Sequence, residues 1–548
     1  MKRPINISEY TFRSLTDTVA EKYSSDIAYS SYRHPDRDIS YRELKERADR
    51  LSSYLLTLGL GKGDRAAIYS PSSPEWMVSY LAIVNIALIA VPVLPDFSSR
   101  ESSQILEESG AKLVFVTERL EPRIREKARE RNIILIDIDS MCERESGKSI
   151  LDTSVNRDAL ERSIPLPDDP ASLIFTSGTT GKSKGVVLSH RNILYSADEA
   201  SLPYIKVKRG YRVLSILPMS HVYEFTLGHV LPLMSGCHIT VLGRTPSSSV
   251  LLPAFKAVKP HIIMTVPLII EKIYSSSVRP VLENERVKRI CSNAIMRKLL
   301  YRIISRRILS ALGGCMKFFG IGGAPLDRET EEFLYEASFP YALGYGLTET
   351  SPLIASCGPK KRQHSLHRTG KTVRGLDVKV LEPDAEGIGE LAVKGPSVMK
   401  GYWNNDDLNR ESFTEDGYFK TGDLAFLDEE GFLAIRGRSK TMILLSGGEN
   451  IYPEDIESLI NRKEFVEESL VVNHSGILTA LVKLDLSSYA KSLALSVGEA
   501  KEKAKSYVKD VIRDVNKDLS AFQRIGEVLL QETAFERTPT FKIKRYLY

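Results

Sequence analysis

Short apolar runs rich in β-branched residues alternate with helix-forming stretches through the first third of the chain. The run at residues 66–69 precedes a helical stretch near Trp76, and the run at 112–116 precedes a charged stretch at 119–131 and a further apolar run at 133–136. A strand buried on both faces reads as a continuous apolar run, and intervening helices supply the crossovers between parallel strands. The alternation therefore predicts an α/β fold with layered helices and largely parallel sheets.

The length of the chain requires more than one domain. It has 548 residues, whereas single hydrophobic cores stop growing near about 250 to 300 residues. The pattern shifts to shorter strands with close turns after about Gly387, and shifts again beyond Gly437. We predict a large domain at residues 1–438, with a β-rich subdomain at about 375–438, and a small α+β domain at 439–548.

Charge and cysteine usage narrow the class of protein. Lys and Arg number 75 against 70 Asp and Glu, and a net charge of +5 on a chain this long is not that of a nucleic-acid binder. The five cysteines are widely spaced and form no CxxC pair, which is typical of reduced thiols in the cytosol. No secretory signal follows the amino terminus. A cytoplasmic protein is expected.

The best candidate for a membrane span is the apolar stretch at residues 76–94. It contains Asn85 and Pro92 and falls short of the about 18 to 20 unbroken apolar residues that a span needs. We predict instead a buried helix that ends near Ala90, followed by a core strand through Val91 and Val93.

A loop rich in Gly, Ser and Thr at residues 176–185 lies between two apolar runs. Glycines allow a phosphate to approach the backbone closely, and N–H groups, hydroxyls and lysines donate to its oxygens. The Walker pattern fails here, because its first glycine would fall on Thr176 and because a strand-like segment follows the loop instead of a helix. The loop is therefore predicted to bind phosphate outside a P-loop fold.

The sequence of this loop, TSGTTGKSKGV, resembles the phosphate-binding motif of the adenylate-forming (AMP-binding) superfamily. Further family signatures follow in the family's order almost to the end of the chain, and they are most similar to those of long-chain fatty acyl-CoA synthetases. The resemblance implies the superfamily fold, in which the small C-terminal domain is mobile. It also implies an ATP- or AMP-binding site whose residues are Thr176, Ser177, Gly178, Thr179, Thr180, Lys184, Gly323, Ala324, Pro325, Tyr345, Gly346, Asp423 and Arg438.

Two of these signatures carry distinct roles in the family. The segment at 322–325 resembles the one that lines the adenine, and the segment at 344–351 resembles the one in which Tyr345 stacks on adenine, Thr348 contacts phosphate and Glu349 holds Mg²⁺. A hard cation beside triphosphate oxygens needs such a carboxylate. Thr348 and Glu349 are accordingly predicted to be catalytic, and Glu349 is the predicted metal ligand.

The later signatures concern the ribose and the domain junction. Asp423, in the sequence TGD, matches the aspartate that accepts hydrogen bonds from the ribose hydroxyls, and Arg438 matches the arginine that contacts the ribose. A carboxylate facing a vicinal diol is also the acidic ribose contact of dinucleotide folds. Lys440 falls at the family's hinge between the two domains.

The small domain carries the last two signatures. Gly447, Gly448 and Glu449 resemble the loop that forms the thiol tunnel for coenzyme A in the second half-reaction. Lys542 resembles the catalytic lysine that bridges the substrate carboxylate and the α-phosphate. The commoner family pattern has Gly before this lysine, where this chain has Phe541, and Lys544 is the competing candidate.

The acid is predicted to lie near residues 217–225. This segment resembles the one that borders the acyl pocket in the family, and the resemblance implies that His221 and Tyr223 are pocket residues. Its sequence is most similar to that of fatty acyl-CoA ligases, which favours a fatty acid as the substrate. An amino-acid-activating relative would place an Asp here to pair with the α-ammonium, and none occurs between Ser215 and Thr226.

A basic segment provides a second indication. Eight Lys or Arg and no Asp or Glu occur between Arg286 and Ser310, interleaved with apolar residues. A basic amphipathic helix can lie on an anionic membrane. An ordinary solvated helix and a contact for coenzyme A phosphates are the alternatives.

Taken together, the resemblance implies a fatty acid:CoA ligase that uses ATP and Mg²⁺, forms an acyl-adenylate and releases AMP and pyrophosphate. Transfer to a separate acyl carrier protein, and a shorter or aromatic acid, stay open as alternatives, as do a homodimer and peripheral membrane association. No nucleic-acid partner is expected. A non-catalytic nucleotide-binding relative is disfavoured, because the polar residues of all the signatures are retained together.

Overall fold

The computed structural model describes residues 9–34, 36–150, 152–177, 183–201, 204–444, 450–474, 477–520, 523–537 and 543–548. Within these ranges the chain forms two large sheets, a three-stranded sheet and a two-stranded ribbon, with helices packed around them. This mixed architecture confirms the predicted α/β fold class. The ribbon pairs Ile443–Leu444 with Asn450–Ile451.

The larger sheet has thirteen strands within the described residues, and its central part is parallel. The strand Phe318–Gly322 at its middle is buried along its whole length, as expected where helices cover both faces. At one edge, Ile39–Ser40 pairs antiparallel with its neighbour. The parallel strands are, in spatial order, Ile27–Ser31, His238–Val241, Arg212–Ser215, Ile262–Thr265, Phe318–Gly322 and Tyr341–Gly346.

Beyond Tyr341–Gly346 the same sheet continues with antiparallel strands. These strands are, in spatial order, Leu353–Ser356, Gly370–Thr372, Phe432–Arg438, Phe419–Leu427, Gly389–Lys394 and Asp377–Leu381. Four strands of the region 375–438 therefore extend the large sheet, and a fifth, Gly401–Tyr402, joins the second large sheet, so the described strands of this region do not form a sheet of their own. The subdomain boundary at about 375 stays a prediction.

The second sheet has eight strands within the described residues. Its order is Gly401–Tyr402, Ser183–Ser189, Pro170–Ser177, Ile89–Val93, Arg65–Tyr69, Leu113–Val116, Ile134–Asp137 and Cys142–Glu143. The antiparallel pair Pro170–Ser177 and Ser183–Ser189 flanks the predicted phosphate loop. The segment after that loop is thus a strand, as the sequence predicts, and not the helix of a P-loop.

Helices fill the layers around these two sheets. They are Phe12–Lys22, Tyr41–Thr57, Pro74–Val84, Ser99–Ser109, Arg125–Glu130, Arg157–Glu161, His190–Ser201, Leu231–Met234, Ser248–Val258, Pro267–Ile273, Arg279–Leu282, Glu285–Cys291, Ala294–Ala311, Arg328–Glu336 and Asp406–Ser412. Two π-helical segments, Glu224–Val230 and Tyr274–Val278, lie next to the helices that follow them.

The helix Pro74–Val84 lies between the two sheets and is buried on almost every side. Ser73 caps it by accepting a hydrogen bond from the backbone N–H of Trp76 at 3.1 Å. The helix ends at Val84, so the predicted end near Ala90 is wrong. Ala87 has a φ of +58°, and a left-handed residue cannot continue an α-helix. The strand Ile89–Val93 follows, as predicted.

The C-terminal part of the chain has its own apolar core. The strands Val466–His474 and Ile477–Leu484 pair antiparallel, and Glu527–Leu530 adds a parallel edge. Three helices pack on this sheet: Pro453–Asn461, Leu486–Ser492 and Val497–Asp518. The separate core agrees with a small α+β unit, while the boundary at 438/439 stays a prediction.

The structure also bears on the predicted lack of a membrane span and on the state of the cysteines. Among the described helices, none combines the length and the apolarity that crossing a bilayer requires. All five cysteines are free thiols, as their spacing predicts.

Replacement of Leu81 by Ala tests the central position of the helix Pro74–Val84. Leu81 is 2% exposed, so the cavity left by Leu81→Ala should lower the free energy of unfolding by about 2 to 5 kcal/mol. Leu166, which is 60% exposed, is the matched control, and Leu166→Ala should change it by less than about 0.5 kcal/mol. Urea unfolding followed by circular dichroism measures both. Equal changes in the free energy of unfolding of the two variants would contradict the burial of the helix Pro74–Val84.

Candidate active site

A large cleft lies at the carboxyl ends of the parallel strands, where open α/β sheets commonly bind ligands. Its walls come from both large sheets and from the C-terminal part. Predicted site residues from distant parts of the sequence share this cleft. They include Thr176, Lys184, His221, Tyr223, Gly323, Ala324, Pro325, Tyr345, Gly346, Thr348, Glu349, Asp423, Arg438 and Lys440.

The carboxylate of Asp423 is held from two directions. The hydroxyl of Tyr345 donates to Oδ2 at 2.7 Å, and Nε of Arg438 lies 3.1 Å from Oδ1. Asp423 and Arg438 face each other across adjacent antiparallel strands. Because a carboxylate offers about four lone-pair positions, Asp423 keeps acceptor capacity for a ligand although it is only 4% exposed.

The backbone before Asp423 is fixed by its own hydrogen bonds. Gly422 has a φ of +71°, a conformation that glycine adopts without strain, and its N–H donates to Oε1 of Glu390 at 3.0 Å. The hydroxyl of Thr421 donates to the carbonyl of Leu391 at 2.7 Å and accepts from the N–H of Asp423 at 3.1 Å. These hydrogen bonds fix the backbone of the TGD sequence and thereby the position of the Asp423 carboxylate.

Burial, followed by the neighbouring charge of Asp423, raises the pKa of the Tyr345 hydroxyl well above its ordinary value. The hydroxyl therefore stays protonated at neutral pH and remains a donor to Asp423. This bond anchors the outer end of the Tyr345 side chain and fixes the orientation of its ring.

A short loop after Tyr345 positions Thr348 and Glu349. Thr348–Thr350 forms one turn of 3₁₀ helix, and both Thr348 and Glu349 are half-buried. Oε1 of Glu349 accepts a hydrogen bond from the hydroxyl of Tyr402 at 2.9 Å. Its main-chain carbonyl accepts from the N–H of Met399 at 2.8 Å. The Glu349 carboxylate is therefore oriented by contacts from outside its own loop.

Lys184 brings a cation to the same region. It pairs with Thr176 across the two strands that flank the phosphate loop, and its Nζ lies 5.2 Å from the centre of the Tyr402 ring. Burial and then the positive charge of Lys440 lower the pKa of the Lys184 ammonium. A bound polyanion would offset the repulsion between Lys184 and Lys440. The positions of these two cations therefore suit the binding of phosphate groups.

Gly323, Ala324 and Pro325 are exposed in the cleft directly after the strand Phe318–Gly322. Gly323 has a φ of +86°, which turns the chain out of the sheet without a side chain on that surface. Asp327 then caps the helix Arg328–Glu336 by accepting from the N–H of Thr330 at 2.9 Å. The segment forms a smooth backbone wall that a flat base could lie against.

His221 and Tyr223 line another part of the cleft. The N–H of Tyr223 donates to Nδ1 of His221 at 3.3 Å. The Tyr223 ring is buried beside the strand Phe318–Gly322, where a Cβ at Gly322 would lie 3.2 Å from it. Its hydroxyl lies 3.8 Å from Sδ of Met264. Both residues therefore lie at the wall of the cleft, and their role at an acyl pocket stays a prediction.

Several predicted residues lie outside the described residues. They are Gly178, Thr179 and Thr180 of the phosphate loop, Gly447, Gly448 and Glu449 of the predicted thiol tunnel, and Lys542. Only the backbone of Ser177 is described. Lys440 is exposed in the turn after Arg438, and its hinge role stays a prediction.

Tyr402 is a site residue that the sequence did not predict. It contacts both Glu349 and Lys184, although about fifty residues separate it from one and more than two hundred from the other. Its short strand Gly401–Tyr402 pairs with Ser183–Ser189. No motif marks this position, because its partners come together only when the second sheet forms.

The site also fits a magnesium ion. Among the described residues, no group of three or more His, Cys, Asp or Glu side chains could hold a metal on its own. Mg²⁺ beside a nucleotide needs only one or two carboxylates, since phosphate oxygens and waters complete its coordination. Glu349, beside the cationic Lys184, meets that requirement.

Residues 16–403 match the family model described as AMP-binding enzyme. A long-chain-fatty-acid–CoA ligase of Mycobacterium bovis is 28% identical over 556 aligned positions, covering 93% of this chain and 90% of the relative. A 2-succinylbenzoate–CoA ligase of Bacillus velezensis is 30% identical, covering 79% of this chain and 80% of the relative.

A solved structure shows the same fold. The O-succinylbenzoate coenzyme A synthetase of Bacillus subtilis, in complex with ATP and a magnesium ion, superimposes with a TM-score of 0.75. The two sequences are 24% identical, and the match covers 97% of this chain and 98% of the other.

Replacement of Gly346 by Ala tests the loop that carries Glu349. A Cβ at Gly346 would lie 1.6 Å from the carbonyl oxygen of Pro352, so the loop must move. We expect ATP binding, measured by calorimetry, to weaken at least about tenfold, the effect of losing one hydrogen bond to a charged group. Gly61→Ala is the control, because nothing lies within 4 Å of its added Cβ. Unchanged ATP affinity in Gly346→Ala would rule out this loop as part of the nucleotide site.

Proposed function

The chain belongs to the AMP-binding enzyme family, and on that premise we propose that it is an ATP-dependent ligase that joins a long-chain fatty acid to coenzyme A. The reaction proceeds through an acyl-adenylate and releases AMP and pyrophosphate. The observation that carries the proposal is the oriented Asp423 carboxylate, held by Tyr345 and Arg438 in the same cleft as Glu349 and Lys184.

Different polar groups of the cleft suit different parts of the nucleotide. The free acceptor positions of Asp423 suit the two ribose hydroxyls, and the anchored ring of Tyr345 suits the adenine face. Lys184 and the neighbouring Lys440 and Arg438 provide positive charge for the phosphates. Glu349 would hold Mg²⁺, which when bound neutralises charge on the phosphate oxygens.

In the first half-reaction, an oxygen of the substrate carboxylate attacks the α-phosphorus of ATP. The new P–O bond forms as the bond to the bridging oxygen breaks, and pyrophosphate leaves. Lys184 stabilises charge on the phosphates during this step, and Lys542 is proposed to bridge the carboxylate and the α-phosphate. The enzyme itself forms no covalent bond to the acyl group.

In the second half-reaction, the thiol of coenzyme A attacks the acyl carbon of the adenylate. AMP leaves as the thioester forms, and the thiol proton passes to solvent. The adenylate is a mixed anhydride, so water must be kept from it. Movement of the C-terminal part, with Lys440 as the hinge and Gly447, Gly448 and Glu449 at the thiol tunnel, is proposed to exchange one half-reaction for the other.

Two observations favour a fatty acid. The Mycobacterium bovis relative, which aligns along most of both chains, is a long-chain-fatty-acid–CoA ligase. The segment at residues 215–226 contains no Asp, and its one acidic residue, Glu224, is buried beside His229 and does not line the cleft. An aromatic acid is the second candidate, because the Bacillus velezensis relative is a 2-succinylbenzoate–CoA ligase.

A panel of acids tests the reaction and its substrate together. With ATP, Mg²⁺ and coenzyme A, we expect release of AMP and pyrophosphate that depends on a long-chain fatty acid and exceeds that with 2-succinylbenzoate or short acids. A carrier protein bearing pantetheine replaces coenzyme A in a parallel assay. A preference for the aromatic acid would replace the fatty-acid proposal, and no AMP with any acid would refute ligase activity.

Replacement of Lys542 by Ala separates the half-reactions. We expect Lys542→Ala to lower the rate of adenylate formation by about a hundredfold or more, because it removes a charge that acts on the α-phosphate. Thioester formation from preformed acyl-adenylate should stay close to that of the unchanged protein. Lys544→Ala is the control, since Nζ of Lys544 lies 3.8 Å from Glu536. Equal loss of both half-reactions in Lys542→Ala would contradict the assignment.

A further inference from the structure

The helices Glu285–Cys291 and Ala294–Ala311 carry an unusual concentration of unpaired positive charge. Of the eight Lys and Arg in this segment, Lys288 pairs with Glu285 at 2.8 Å and Arg297 pairs with Glu336 at 2.8 Å. The other six are exposed and have no ion-pair partner among the described residues. They are Arg286, Arg289, Lys298, Arg302, Arg306 and Arg307.

Large apolar side chains share the solvent-facing side of the longer helix. Ile295, Leu299 and Ile303 are 78%, 53% and 42% exposed and follow one another at intervals of four residues, so they form one stripe along the helix. The opposite side carries Ile304 and Ile308, which are buried in the apolar core beneath. The helix is therefore apolar on both sides, and only one side has a partner within the protein.

A basic stripe runs directly beside the apolar one. Lys298, Arg302 and Arg306 also follow at intervals of four, and each lies three residues after a member of the apolar stripe. Residues three and four apart are neighbours on a helix surface. The charge reaches beyond the helix, since Lys298 and Arg302 add to the effect of burial in lowering the pKa of Lys361.

We propose that this face, formed by the apolar stripe and the basic stripe, docks the protein on the surface of a bilayer that contains anionic lipids. The cations bind headgroup phosphates while the apolar side chains enter the boundary between headgroups and acyl chains. An anionic bilayer therefore offers a binding partner to the basic stripe and to the apolar stripe. The helix Ala294–Ala311 would lie in the plane of the surface.

A second copy of the chain fits this face less well. A two-fold interface places the same patch of each copy against the other, which would bring the unpaired cations of both copies together. The face offers no carboxylate of its own to balance them, because no Asp or Glu occurs between residues 286 and 310. An anionic lipid surface provides the opposite charge.

The docking face adjoins the cleft through consecutive elements. Leu268, on the helix Pro267–Ile273, and Tyr274, on the π-helical segment after it, line the cleft. Arg279–Leu282 then leads to Glu285–Cys291. If the proposed function holds, a fatty acid dissolved in the bilayer would leave it close to the cleft, although docking itself requires neither acid nor ATP.

Vesicle flotation of the full chain tests the proposal. We expect the protein to float with vesicles of phosphatidylcholine and phosphatidylglycerol, and not with phosphatidylcholine alone, and we expect high salt to weaken the binding. A variant combining Lys298→Glu, Arg302→Glu and Arg306→Glu should lose about fivefold in partition for each basic residue removed. A variant combining Ile295→Ser, Leu299→Ser and Ile303→Ser should also bind more weakly.

The matched control reverses three exposed lysines on the helix Val497–Asp518 in the variant Lys503→Glu, Lys505→Glu, Lys509→Glu. It has the same net charge as the basic-stripe variant and should float like the unchanged protein. ATP binding by calorimetry, retained in all variants, shows that each is folded. Absence of flotation, or equal loss in the control, would overturn the proposal. So would a change from dimer to monomer on gel filtration of the apolar-stripe variant, which would assign the face to a second copy.

Discussion

The hydrogen bonds that converge on Asp423 hold the candidate site together. Tyr345 comes from the last parallel strand of the large sheet, and Asp423 and Arg438 come from two antiparallel strands at its far side. Hydrogen bonds to a charged group are each worth about 1.5 to 3 kcal/mol. A carboxylate this deeply buried would destabilise the fold if it lacked these partners. The same contacts that hold the Asp423 side chain in the interior also orient it toward the cleft.

The cleft depends on the junction of two kinds of strand pairing. Parallel strands place their carboxyl ends at one edge, and the antiparallel strands that continue the sheet carry Asp423 and Arg438 to that edge. The second sheet supplies Lys184 and Tyr402 from the opposite side. The C-terminal part reaches the cleft as well, with Arg462 placed 3.5 Å from Asp327 at the end of the predicted adenine wall. Both side chains of this pair are half-buried, and the contact joins the C-terminal part directly to the wall of the cleft.

The proposed lipid-docking face follows from the same helical layer. Helices that cover a parallel sheet need one apolar side, and Ile304 and Ile308 meet that need. The second apolar stripe on the same helix has no structural task within the described protein. Together with the neighbouring cations, it makes the helix suited to an interface between water and lipid. An enzyme for a poorly soluble acid would benefit from such a location.

The sequence by itself determined the α/β class, the strand after the phosphate loop and the core strand through Val91 and Val93, because these depend on local periodicity and turn residues. It also identified Tyr345, Asp423 and Arg438 through short motifs. It could not place the end of the helix at Val84, since the left-handed backbone at Ala87 leaves no mark in an apolar run. Tyr402 entered the site, and the apolar stripe at Ile295 was left exposed, only through long-range packing of the sheets. Tertiary structure decided these points because contacts between distant segments are set by how whole layers pack, and a local pattern carries no record of that packing.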